Sequence, residues 1–399
     1  MKVALLTPRF PYPPDRGDRL AAYYLIRELG REHRITLFTC IDGSEPPEAM
    51  AEMSRSCERI ETVRLSRWRS WLQAWLGLFS SLPSQVAYYR SAGMRRRVRE
   101  IIDAGRFDVV FAHTIRLVPS VDRLRHPLKI LSLGDSLGMA LRRSMEYEPR
   151  WKWPGIAWES RRVDRYTAAI SHRARETWVL SPVDQADMIR LGCRDVVLMP
   201  HGVDDRLFDV EHEPGPEPTV VSLGNLSVPH NVDAAHFLVR EIWPAVLRER
   251  PASRLVLAGA DPLPAVRRLA EPGRIEVPGA IPDLRTLWRR ADVMIAPLRF
   301  STGVQNKVLE AMAAGVPVVT TPQVAEGIEA RHGQHLLVAS DAAGLAAALL
   351  ESLRDPASAS RRAERARAYV REHFSWMTLV RRLEHLAAAP EGAGAAARA

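Results

Sequence analysis

Residues 301–321 read STGVQNKVLEAMAAGVPVVTT, and the lysine and glutamate among them, Lys307 and Glu310, stand three apart. The pattern predicts a helix that starts near Gly303 and stops at Gly315, followed by a valine-rich strand. A spacing of three puts both side chains on one helix face. A helix N-terminus offers unpaired N–H groups and partial positive charge, which suits a phosphate. Gly303 lets backbone approach a ligand closely. The Lys307 ammonium, in the first turn, adds a point charge for the same anion. The Glu310 carboxylate, one turn on, can accept from hydroxyl groups. The plain alternative is a surface ion pair, which is worth little.

Such a helix needs strands to hold it. DVMIAPL (292–298) and VPVVTT (316–321) flank it, and TVVSLGNLS (219–227), RLVLAGADP (254–262), IEVPGAIPD (275–283) and HLLVAS (335–340) extend the series. A helix is expected around Asp233–Leu247. An earlier series reads KVALLTP (2–8), RITLFTC (34–40), FDVVFAHT (107–114), LKILSLGDS (128–136), TWVLSP (177–182) and DVVLMPHGVD (195–204). Short apolar runs alternating with helical patterns predict parallel α/β sheets. Residues at the C-terminal ends of such strands face the ligand crevice. His113 and Asp135 stand there. A lone histidine is often structural; Asp135 could be a base or an acceptor contact. Glu159, in WESRRVDRY, falls on a helix and is a weaker candidate. EHEPGPEP (211–218) reads as a linker between two Rossmann-like halves, with one long sheet as the alternative.

The chain has 399 residues, enough for two domains, with 46 % hydrophobic and 26 % charged residues. Its formal charge is +9, carried almost wholly by arginine. That balance fits an anionic partner or simply an arginine-rich codon usage. No zinc-finger, RNP-like or basic-zipper pattern appears, so nucleic acid is not an expected partner. Cys40, Cys57 and Cys193 are far apart and form neither a disulfide framework nor a metal motif. MKVALLTPRF is too short an apolar run for a signal peptide, and no run reaches transmembrane length. A cytoplasmic location is expected, with peripheral contact at the inner membrane.

That contact would come from 64–100. Trp68, Trp71, Trp75, Leu72, Leu76 and Phe79 fall at helical spacing beside Arg64, Arg67 and Arg69, and Arg95, Arg96, Arg97 and Arg99 follow. Aromatics with arginines suit an anionic membrane interface. A core-facing helix with a solvated basic edge explains the pattern equally well.

LEAMAAGVPVVTT, the HGVD turn (201–204), the glycine turn in SLGNLS and the late FSW (374–376) together resemble the retaining glycosyltransferases of family four. Within that family, RFPYPPDRGDR (9–19) and GVQNKVLEAMAAGVPVV look most like the exosortase-associated sugar transferases of bacterial exopolysaccharide clusters. The resemblance implies an α/β fold of the GT-B type: two Rossmann-like domains facing a central cleft, with the C-terminal helix crossing back. Residues 1–205 would be the acceptor-side domain, 206–372 the nucleotide-sugar-binding domain, and 373–399 the returning helix and a frayed tail. It implies transfer of a sugar from a nucleotide-sugar donor to a glycan or lipid-linked acceptor, with no metal and no cofactor.

On this reading Lys307 and Glu310 hold the donor's diphosphate and ribose. Gly224, Asn225, Thr302, Gly303, Val304 and Asn306 line the donor, with Gly17 and Arg19 of the first domain, flanked by Asp15, Arg16 and Asp18. Lys307, His113 and Asp135 are the expected catalytic groups. Two departures stand out. The family often has a glutamate where this chain has Thr302. Many relatives have an arginine and a lysine where this chain has Asn225 and His230 or Asn231. Lys307 would then carry more of the leaving-group charge, helped by an arginine such as Arg299.

The alternatives are transfer to a soluble small molecule, a sugar-nucleotide epimerase of the same fold, and a non-catalytic sugar-nucleotide-binding subunit. A dehydrogenase is disfavoured, since no GxGxxG follows the first strand.

Overall fold

The computed structural model describes residues 1–14, 17–126, 128–213, 215–300 and 303–388. Thr302, Asp15 and Arg16 lie outside them. The chain divides into one unit of Met1–His201 with Trp376 onward, and a second of Gly202–Ser375.

The first unit is built on seven parallel strands: β1 (Lys2–Thr7), β2 (Arg34–Ile41), β3 (Arg59–Arg64), β4 (Val109–His113), β5 (Lys129–Gly134), β6 (Glu176–Val179) and β7 (Val196–Leu198). Their order is β3-β2-β1-β4-β5-β6-β7. Alternate residues of β1 feed opposite cores. Val3 and Leu5 join Leu37, Phe111 and Trp178; Ala4 and Leu6 join Phe38, Val110 and Ala112. Burial on both faces is why these strands read as continuous apolar runs. β3, RIETVR, has no such run. It is an edge strand, only half-buried, and the apolar signal that marks its neighbours is missing.

Helix Trp376–Ala388 belongs to this unit. Its buried Trp376, Leu379, Val380 and Leu383 follow helical periodicity and share a core with helix Gly17–Leu29. Trp376 stacks on Tyr24 and on His201 at 5.9 and 5.3 Å between ring centres. Arg382 pairs with Glu176.

The second unit carries β8 (Thr219–Leu223), β9 (Arg254–Ala258), β10 (Ile275–Gly279), β11 (Val293–Ala296), β12 (Val318–Thr320) and β13 (Leu337–Val338), in the order β10-β9-β8-β11-β12-β13. These strands pair with one another in parallel. Residues 211–218 lie within this unit, where Glu213 N–H donates to the Arg289 carbonyl at 2.8 Å. The helix expected at 233–247 runs as Pro229–Phe237, a π-turn over Leu238–Ile242, and Trp243–Glu249. Pro244 lacks the N–H that an unbroken α-helix would use, and the wider turn accommodates it.

Candidate functional site

The loop after β11 leads into helix Asn306–Ala313, whose apolar face packs deep in the second unit's core through Val308, Leu309 and Met312. The two ends of this helix are treated differently. At its exit Gly315 takes φ 72°, and Val316 N–H donates to the Ala311 carbonyl at 2.9 Å. Arg367 donates to the Ala313 and Ala314 carbonyls, each at 3.1 Å, so the negative end is closed by a cation. At its entry Gly303 takes φ 68°, a conformation natural to glycine. Its carbonyl lies so near Gly327 that a Cβ there would come within 2.6 Å. Gln305, at the N-cap position, makes no side-chain capping bond. The entry is therefore the end suited to an external anion.

Lys307 does not form the surface pair with Glu310. Its ammonium donates to Asn231 Oδ1, and Asn231 Nδ2 donates to the Asn225 carbonyl at 3.0 Å. Asn231 is buried, and Gly224 makes room for it: a Cβ at 224 would sit 2.8 Å from the Asn231 amide. Gly259 in turn lets β9's exit pass the glycine turn, since a Cβ there would strike the Gly224 carbonyl at 1.7 Å. Asn225 shapes the turn. Its Oδ1 accepts from Ser227 N–H and Oγ at 3.0 and 2.6 Å, and its Nδ2 donates to Asp261 at 3.1 Å. The structure thus joins Gly224, Asn225 and Lys307 through Asn231, which takes the seat that the sequence left open between two residues. His230 instead turns edge-on toward Phe300.

Charge is costly at this site. Burial pushes Lys307 down to about 7, against the pull of Glu310. Burial and then Asp204, partly opposed by Lys307, push Glu310 up to about 7. Burial and Lys307 push His230 down to about 4. Asp204 is the last residue of the HGVD turn and also pairs with Arg206 at 2.6 Å. A diphosphate at the helix entry would restore the Lys307 proton, and a ligand hydroxyl would find its acceptor in Glu310. Arg299 is less available than expected, because Asp233 takes its guanidinium through two bonds. Val304 and Asn306 line the entry in sequence, on either side of Gln305.

The remaining candidates belong to the first unit. Gly17 opens helix Gly17–Leu29, and a Cβ there would meet open space. Arg19 N–H donates to Asp18 Oδ1 at 3.1 Å. His113 ends β4, is buried, and donates from Nε2 to the Asp18 carbonyl at 3.0 Å. Burial holds it below the usual histidine range, although Asp18 opposes this. Its contact is with the Asp18 backbone, not with the Asp18 carboxylate. The next residue, Thr114, takes φ 71°, a strained value for a β-branched side chain. Asp135 follows β5; its Oδ1 is buried without a hydrogen-bond partner, and burial beside Asp184 raises its carboxyl above the usual range. His113 and Asp135 thus mark the ends of neighbouring strands.

Residues 217–355 match the family described as "Glycosyl transferases group 1". That span contains β8 to β13, the glycine turn and the Lys307 helix. The structure of HepE from Anabaena, in complex with UDP and glucose, superposes with a TM-score of 0.67 at 17 % identity, covering 98 % of this chain and 100 % of that one. The fold is GT-B. Glycogen synthase of Mycobacterium tuberculosis is 39 % identical over 99 residues, 24 % of each chain. An uncharacterized 44.6 kDa protein in the cps region of Klebsiella pneumoniae is 27 % identical over 130 residues, 31 % of this GT-B chain and 34 % of that protein. The matched stretches therefore span 34 % of the Klebsiella protein and 24 % of the glycogen synthase.

Proposed function

We propose that this protein is a retaining glycosyltransferase that moves a sugar from a nucleotide-sugar donor to a lipid-linked saccharide in surface polysaccharide synthesis. The observation that carries the reading is Lys307. It is an ammonium seated on buried Asn231 at the entry of a helix that lies inside the glycosyl transferases group 1 match. Lys307 and the helix entry would take the donor diphosphate, and Glu310 the ribose hydroxyls. In the transfer the sugar–phosphate bond breaks as the acceptor hydroxyl approaches on the same face. The hydroxyl proton passes to the departing diphosphate, and no enzyme nucleophile or metal is used. The chain's contribution is positioning and stabilisation of leaving-group charge.

HepE was solved with UDP and glucose, so UDP-sugars are the first donors to try. The cps-region relative supports the polysaccharide context. The N-terminal and donor-helix stretches look most like exosortase-associated transferases of exopolysaccharide clusters, which points to the same context. No helix among the described residues is long and apolar enough to cross a membrane, so the lipid-linked acceptor would be met peripherally, through 64–100. The test is a thermal-shift screen with UDP-, GDP-, ADP- and TDP-sugars on wild type, Lys307→Ala and Glu310→Gln. One base should stabilise the wild type and neither variant. Equal shifts in all three proteins would refute the donor site.

A further inference from the structure

Helix Arg67–Gly77 packs by its smallest residues and exposes its largest. Ser70 and Gly77 are buried, and Ala74 between them is half-buried. Spacings of four and three put the three on one face. A Cβ at Gly77 would sit 2.6 Å from that of Ala87, so the small face is what lets helix Ser84–Tyr88 lie close. The opposite face carries Trp68, Trp71, Leu72, Trp75 and Leu76, each between 43 % and 69 % exposed. Phe79, just past the helix, is 81 % exposed. The sequence also allowed a core-facing helix with a solvated basic edge. The structure instead turns the aromatic face outward.

The row continues on a second segment, 150–158, where Trp151, Trp153 and Trp158 are exposed. Arg162 ties this segment to the first. Its guanidinium is buried, 4.2 Å from the centre of the Trp158 ring. It donates to the carbonyls of Gly77, Ser80 and Leu82, at and beyond the negative end of the helix. Glu159 accepts from Ser84 N–H at 2.6 Å. Buried polar bonds thus hold the segments together, and the indoles are left outside. Thirteen large apolar side chains are exposed among the described residues, and ten of them stand on these two segments. Single exposed apolar residues are ordinary, but such a concentration marks a contact surface.

Charge decides what it contacts. Residues 64–99 contain eight arginines and no acid, and 150–158 contain no acid either. The carboxylates that reach these segments are matched. Asp42 holds Arg67 at 3.0 Å, Glu61 holds Arg97 at 2.7 Å, Glu148 holds Lys152 at 2.7 Å and Glu159 holds Arg162 at 2.6 Å. Arg64 and Arg69 beside the first segment, and Arg150 and Arg161 beside the second, are exposed with no carboxylate partner among the described residues. Between 143 and 165 only Glu146 is a carboxylate without a cation among those residues. A second copy of this chain would bring the same arginines against them, whereas an anionic surface complements them.

We propose that helix Arg67–Gly77 and residues 150–158 form one face that seats its indoles in the interfacial layer of an anionic membrane. Indoles settle at headgroup level, and arginines beside them meet the anionic headgroups. The peripheral contact proposed above for 64–100, on which this rests, thereby gains a second half and a lipid preference.

The test is flotation of the full chain with phosphatidylcholine vesicles, with and without about a third of phosphatidylglycerol. The wild type should float with the anionic vesicles, about tenfold less with the neutral ones, and less with either variant set than without it. Brominated lipid should quench its tryptophan fluorescence. Trp151→Ser should weaken binding by about tenfold, and Trp68→Ser with Trp75→Ser by about a hundredfold. Arg69→Gln with Arg150→Gln should weaken binding to the anionic vesicles by about tenfold. Circular dichroism should be the same in all, since the five side chains lie on the surface. Flotation weakened by the tryptophan pair but not by Trp151→Ser would leave the contact of 64–100 standing and overturn the two-part face. Equal binding to neutral and anionic vesicles, or none to either, would overturn it too. So would a lipid-free dimer that the tryptophan pair turns into monomer. Nucleotide-sugar shifts are read on lipid-free protein, so the donor site and this face can fail separately.

Discussion

In the second unit, burial drives Lys307 and Glu310 toward neutrality, and the like-charged Asp204 adds to the shift on Glu310. In the first unit, Asp18 meets Arg9 and Arg116, and their charges hold its carboxyl below the usual range although burial opposes this. The difference is one of chemistry and geometry. Asp18 lies within 3.2 Å of two guanidiniums, whereas the ammonium of Lys307 rests on a neutral amide. Arginine keeps its charge, while lysine gives up its proton when desolvated. The first arrangement carries its own counter-charge in Asp18. The second is improved by a ligand, because a diphosphate supplies the counter-charge that the protein withholds.

Lys307→Ala should therefore have the largest effect. Loss of the cation facing the leaving group should cut transfer by roughly a hundred- to a thousandfold. It should also remove a pH dependence. Free Lys307 loses its proton as pH rises through about 7, and bound diphosphate would raise that value. Donor affinity of the wild type should thus fall as pH rises above neutrality, and that limb should be flat in Lys307→Ala. An unchanged alkaline limb would assign the titration elsewhere.

Gly224→Ala should come next, with about a tenfold loss of donor affinity. The added Cβ lies 2.8 Å from the Asn231 amide, so Asn231 must shift and Lys307 with it. A loss of this order corresponds to about 1.4 kcal/mol. Titration of donor into both proteins decides it, and unaltered affinity would mean that Asn231 does not seat the ammonium.

Glu310→Gln should stabilise the free protein. Its folded pKa lies above the unfolded value, so stability is lost as pH rises from the unfolded carboxylate range through about 7. The neutral amide avoids that loss. Tm should rise by roughly 2–4 °C at pH 8 and by less at pH 5. A fall in Tm at pH 8 would show that the carboxylate is held by favourable contacts instead.

The contrast between the units also explains what the sequence revealed. The Lys307 helix was legible because every constraint is local. Gly303 and Gly315 bracket it, its apolar residues are periodic, and the two charges share a face. The buried strands were legible for the same reason. β3 was not, since an edge strand needs no apolar run. Asn231 stayed ambiguous with His230 because both lie at the start of one helix, and only the fold shows which meets Lys307. Arg299 looked free until Asp233, 66 residues away, was placed beside it. The Asp18 cluster draws on residues 9, 18, 113 and 116, a convergence that no spacing announces. The second tryptophan segment was hidden differently. Trp151, Trp153 and Trp158 follow no single period, and Arg162 is what ties them to the first.

The smallest effect should come from that exposed row. Trp68 is 67 % exposed, whereas Trp178 is buried between the sheet and its covering helices. Trp178→Ala should cost about 3–5 kcal/mol, the usual range for truncating a core aromatic. Trp68→Ala should change stability by no more than about 0.5 kcal/mol. Urea unfolding of the two variants separates them. A core-like cost at Trp68 would mean that the row is already packed against something in the isolated protein, such as a second copy, and a concentration-dependent midpoint would identify it. A near-zero cost leaves the indoles available, because side chains that do nothing for the fold can be spent on contact outside it.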